Sequence, residues 1–82
     1  TGGIVIDENI IKEIIDIADR DFSGLLNKKK YEVYKVGMHI KLDVMISDKL
    51  NEEKIAKIIE LKENVKKEIR KKYQSVEINC IL

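Results

Sequence analysis

Proline and tryptophan are missing from these 82 residues, and cysteine and phenylalanine occur once each. The lone cysteine, Cys80, cannot close an intramolecular disulfide, so a secreted fold stapled by bridges is excluded. It leaves the redox compartment open, a reducing cytoplasm being the simpler reading. Charge of one sign is also lacking: 16 basic against 15 acidic residues leave a net charge of +1, too little to attract nucleic acid or an anionic bilayer over the whole surface. No apolar run approaches the roughly 20 residues that span a bilayer, and no signal-peptide pattern opens the chain, which reads as soluble. The start, Thr1-Gly2-Gly3, has no initiating methionine and reads as a piece cut from a longer protein.

An enzyme needs a nucleophile with a base, a paired acid and base, or an open metal site. The sequence shows no Ser-x-Gly elbow, no Gly-rich phosphate loop and only one histidine, so the reading is non-enzymatic with no catalytic residue. Cys80 has no histidine near it in sequence and reads as a small core residue.

What the chain does have is branched aliphatics, within a hydrophobic share of 44%. One domain of this size buries only roughly 60–65% of its unfolded surface, so its stability margin is thin and a partner surface would help it. The clearest pattern is Met38 to Ser47. Met38, Ile40, Leu42, Val44 and Ile46 alternate with His39, Lys41, Asp43, Met45 and Ser47, the period of a strand with one buried and one wet face.

Upstream, Ile4 to Ile6 offers a short extra strand or an extended lead-in. Asp7 is a cap for a first helix carrying Ile10, Ile11, Ile14, Ile15, Ile17, Ala18 and Phe22, with Ile6 and Ile11 at the spacing of a hydrophobic staple. Ser23-Gly24 ends that helix, and a loop runs from Gly24 to Lys30. Tyr31 to Val36 alternates weakly, and Gly37 turns it into the next strand as an antiparallel hairpin. Asn51 caps a second helix whose stripe is Ile55, Ile58, Ile59, Leu61, Val65, Ile69 and Tyr73, with Leu50 and Ile55 as a second staple. On its exposed side, Glu63 and Lys67 are spaced for an ion pair. Val76, Ile78, Cys80 and Leu82 alternate as a last strand.

The order helix, strand, strand, helix, strand implies an α+β two-layer open-faced sandwich, with a right-handed crossover through the second helix if the strands it joins lie parallel. If Ile4 to Ile6 pairs, the pattern becomes the split βαβ of ferredoxin-like folds. Both helices then cover one sheet face. The other, with His39, Lys41, Asp43 and Met45, is left bare and is expected to face a second copy. His39 and Asp43 are the candidate ligands there, although residues four apart on a strand stand about 13 Å apart, too far to grip one ion without help from another element. The lysines Lys28 to Lys30 read as a solvated loop, and the basic run Lys66 to Lys72 reads as helix-end charge. A nucleic-acid module would need stacking aromatics on one sheet face, whereas Tyr31 and Tyr34 fall on opposite faces.

Three stretches, Tyr31-Glu-Val-Tyr-Lys-Val-Gly37, Ile40-Lys-Leu-Asp-Val-Met-Ile46 and Asn51 to Tyr73, together with Ser75 to Leu82, resemble the cytoplasmic C-terminal domain of the cation diffusion facilitator (cation efflux) family, the zinc and manganese efflux transporters. The likeness runs from about Asp21 to Leu82. It implies an αββαβ, metallochaperone-like variant of the ferredoxin-like fold and a homodimer at the cytoplasmic side of the membrane. It also implies a transmembrane domain in the same full-length chain, and a divalent cation of the zinc type as transported or regulatory ion. The family's metal-binding histidines align here with Met45, Ile59 and Asn79, none of which is a usual zinc ligand, so no metal site is assigned. The alternative reading is a free-standing ferredoxin-like or ACT-like module that binds a small ligand or a protein.

Overall fold

The computed structural model describes residues 7–82. The element order is α1 (Glu8–Phe22), β1 (Lys29–Val36), β2 (His39–Ile46), α2 (Glu52–Arg70) and β3 (Ser75–Ile81). This is the αββαβ, two-layer α+β sandwich expected from the patterning. The proposed strand at Ile4 to Ile6, and the staple that uses Ile6, lie outside the described residues.

Each helix starts where its capping residue stands. The Asp7 carboxylate accepts the Asn9 amide at 2.8 Å, and the Asn51 side-chain oxygen accepts the Lys54 amide at 2.8 Å. Each satisfies one of the amides that a helix N-terminus leaves unpaired. α2 stops at Arg70 with Lys71 as its C-terminal cap, so Tyr73 belongs to the turn and not to the helix stripe. The Tyr73 amide donates to the Ile69 carbonyl at 3.0 Å, closing that end.

The sheet order is β1-β2-β3. β1 and β2 are antiparallel, with Val36 opposite His39 across a two-residue turn of Gly37 and Met38. Gly37 has φ +60 and Met38 does not have a positive φ, the signature of a type II′ hairpin turn. A Cβ at Gly37 would meet no atom within 4 Å, so conformational strain, about 1–2 kcal/mol, is what favours glycine there. Because the turn uses Met38, β2 begins at His39, and Met38 is 48% exposed rather than on the buried face. β1 begins two residues earlier than its alternation suggests, at Lys29. β2 and β3 are parallel and directly paired, His39 facing Ser75 and Asp43 facing Asn79. A parallel neighbour needs a crossover connection, and α2 supplies it.

The core lies between the sheet and the two helices. Ile40, Leu42, Val44 and Ile46 from β2 meet Ile14, Ala18 and Phe22 from α1 and Ile58, Val65 and Ile69 from α2, flanked by Val33, Val76 and Ile78. Each fully buried aliphatic contributes about 1.5–3 kcal/mol by leaving water. Leu26, placed in the loop by its sequence neighbourhood, is 1% exposed and closes the core beyond α1. Two expected stripe residues do not join it: Ile55 is 42% and Ile59 61% exposed. α2 offers one face to a sheet that it covers jointly with α1, so its apolar stripe is wider than the surface available.

Candidate functional site

β2 is the middle strand, so its outward side chains and those of β1 and β3 form a grid on the face that no described helix covers. The register sets its rows: Val36, His39 and Ser75; Tyr34, Lys41 and Glu77; Glu32, Asp43 and Asn79; Lys30, Met45 and Ile81. A shallow concavity of about 270 Å³ lies over Tyr34, Val36, His39, Lys41 and Asp43.

The polar members of this grid largely satisfy one another. His39 Nδ1 and Ser75 Oγ are 2.7 Å apart. The Asn79 amide donates to Asp43 at 3.1 Å and to Glu77 at 2.8 Å, and the Tyr34 hydroxyl donates to the Glu32 carboxylate. The hydrogen bond to Glu32 raises the Tyr34 pKa, and the Glu32 charge adds to the rise. His39 and Asp43 share the face but are not brought together: Lys41 stands between them, and each is hydrogen-bonded to its own neighbour on β3. Among the described residues no three His, Cys, Asp or Glu side chains are grouped to hold a metal ion.

The three positions aligned with the family's histidines separate in space. Met45 and Asn79 lie on the uncovered face, half-buried, whereas Ile59 is on α2, which packs over the opposite face and leaves it exposed. Cys80 is half-buried on the inner face at the sheet margin; burial pushes its thiol pKa up, and the Lys62 ammonium only partly opposes that. It is therefore held as a thiol, the form unsuited to nucleophilic attack or metal binding.

The lysine run does not act as one patch. Lys29 turns inward, its ammonium donating to the Leu26 carbonyl at 3.1 Å and lying 3.5 Å from Asp19, while Lys28 and Lys30 stay exposed. In the second basic run, Lys71 pairs with Glu68 at 2.9 Å and Lys72 with Glu13 at 3.0 Å. The ion pairs found on α2 and its cap are Lys57 with Glu60 and Lys71 with Glu68, both three residues apart, and the expected Glu63–Lys67 pair is not among them. At these exposed positions each is worth under about 1 kcal/mol, so small differences in rotamer decide which one forms.

Two further clefts run along the α1–α2 seam. One of about 450 Å³ lies by Asp21, Gly24, Leu25, Lys57 and Leu61, and one of about 420 Å³ by Ile17, Arg20, Asn64 and Glu68. Neither was visible in the sequence, because it is the distance between two helices that opens them. The partnerships on the uncovered face were hidden for a related reason. Ser75 and Asn79 become neighbours of His39 and Asp43 only through the parallel register, which alternation within one strand does not encode.

No protein-family model matches the chain, and neither a curated protein nor a solved structure matches it. No described helix is long and apolar enough to cross a membrane.

Proposed function

We propose that the chain is a dimerisation and regulatory domain of a divalent-cation efflux transporter of the zinc type, lying at the cytoplasmic side of the membrane with the transport helices elsewhere in the full-length protein. The observation that supports this reading is the αββαβ order with one sheet face that no described helix covers, the architecture that the resemblance to cation diffusion facilitator domains calls for. A domain with so small a core gains stability from a partner surface. Met45, Ile59 and Asn79, aligned with the family's metal ligands, are not usual zinc ligands, so the divalent cation enters this reading as the transported or regulatory ion with no site assigned to it in the domain. The test is mass in solution by light scattering across a concentration series, with and without zinc. A dimer in both series is expected; a strict monomer at high concentration in both would sink the proposal.

A second reading, a free-standing ferredoxin-like or ACT-like binding module, draws on the concavity over Tyr34, Val36 and His39. The gene separates the two. About six apolar helices encoded upstream, two of them carrying paired aspartate and histidine, belong to the transporter; a reading frame little longer than these residues belongs to the module.

A further inference from the structure

Resting on the dimer reading above, we propose that the outer edge of β3 and the adjoining flank of α2 form the self-association surface, on which a second copy seats its own β3 antiparallel across a two-fold axis. Two strand edges then join into one continuous sheet, and two α2 helices run antiparallel beside each other over the seam.

The first observation is an edge without protection. β3 ends the sheet, and among the described residues no strand lies beyond it. Its outward-pointing amide and carbonyl groups are a template for another strand. Natural edges are usually blunted by lysine, proline or a bulge. β3, Ser-Val-Glu-Ile-Asn-Cys-Ile, contains no lysine, arginine or proline, and its one charged side chain, Glu77, is engaged by Asn79.

The second observation is the flank beside that edge. α1 packs over β1 and α2 over β3, and the α1 side of α2 is occupied by Lys57, Leu61, Asn64 and Glu68. At 3.6 residues per turn, Ile55, Ile59, Lys62 and Lys66 fall on the opposite side, above the margin of β3. Ile55 and Ile59 are thus two exposed isoleucines aligned along the open margin, where an isolated domain gains nothing from them.

Charge complementarity decides the occupant. Glu52 and Arg70 stand two and three turns from Ile59 and so share its side of the helix, one at each end and equally far from Leu61. The flank is therefore acidic at its start, apolar at Ile55 and Ile59, and basic from Lys62 through Lys66 to Arg70. Antiparallel alignment of two identical flanks sets acid against base twice, the self-complementarity that a two-fold interface requires. A partner of single charge would gain at one end and lose at the other.

The experiment is sedimentation equilibrium on the full chain with three variants, folding being checked by circular dichroism. Ile59→Lys, at an exposed position, is expected to keep the fold and weaken self-association by at least about tenfold. Glu52→Lys and Arg70→Glu should each weaken self-association alone, and an equimolar mixture of the two should dimerise again, because only the mixed pair restores opposite charges at both ends. In the wild-type chain, alternate β3 amides should gain hydrogen-exchange protection as concentration rises. A wild-type dimer indifferent to Ile59→Lys and to the charge swap overturns this placement and leaves the dimer reading standing. A wild-type monomer overturns both. β3 amides already protected in a monomer would assign the edge to a segment of the chain itself, which also overturns the proposal.

Discussion

The two edges of the sheet are built differently. At the β1 edge, the side chains of Lys29 and Tyr31 turn inward and are tied to α1, the Tyr31 hydroxyl donating to Asp19 at 2.8 Å and the Lys29 ammonium lying 3.5 Å from the same carboxylate. The approach to β1 is tied down as well: Asp48, just after β2, accepts the Asn27 amide at 2.8 Å and the Lys28 amide at 2.6 Å. Lysines at 28, 30 and 35 stand along this strand and its entry. β3 itself carries no lysine and is not tied to a helix by any ion pair among the described residues, and the α2 flank beside it carries the exposed Ile55 and Ile59 as well as Lys62 and Lys66. An edge that is locked and charged discourages further pairing, whereas one that is bare and flanked by isoleucine invites it. The contrast teaches that the molecule's asymmetry lies along the sheet as much as between its two faces.

This comparison can be broken from beneath. Leu42, fully buried on the central strand, supports both edges, so Leu42→Ala should cost about 2–5 kcal/mol in chemical denaturation and loosen β1 and β3 alike. A loss confined to one edge in hydrogen exchange would show that the sheet is not one cooperative unit.

A smaller effect sharpens the contrast. Tyr31→Phe removes the hydroxyl that anchors β1 to α1 and should cost about 1 kcal/mol of stability while leaving the solution mass unchanged. Burial, with the Asp19 hydrogen bond and charge behind it, raises the Tyr31 pKa above its ordinary 10.0, so its contribution is full below that value and is lost as pH climbs beyond it. A change in mass on this substitution would mean that the two edges are coupled.

The smallest expected effect is acid-dependent. The backbone amides of Asn27 and Lys28, helped by Lys54 and Lys29, hold the Asp48 pKa below its ordinary 3.8. Its stabilisation is present above that value and disappears as pH falls through the lowered one. Asp48→Asn should therefore flatten the acid limb of a stability-against-pH curve, again with no change of mass. An acid limb identical to wild type would show that the carboxylate does not secure the entry to β1.

Much of the fold was legible because its signals are local. Asp7 and Asn51 cap the helices they were expected to cap, the alternation from Ile40 to Ile46 buries the expected face, and Gly37 stands where the hairpin needs a positive φ. What failed depended on neighbours. Ile55 and Ile59 carry helical spacing, but the sheet beneath has no room for them. Leu26 looks like part of a loop and becomes core because α1 ends above it. Of the candidate site, the membership of the uncovered face could be read from alternation on β2. Its hydrogen-bonded pairs, and the bare margin of β3, could not.

By itself, then, the sequence determined the kinds and order of elements, which follow from periodicities of 2 and 3.6 and from side chains that bond their own backbone. Only the tertiary structure decided which strand became the unguarded edge and which isoleucines were left outside. Sheet order, parallel register and the area shared between two helices arise from contacts between residues far apart in the chain, and no stretch read alone contains them.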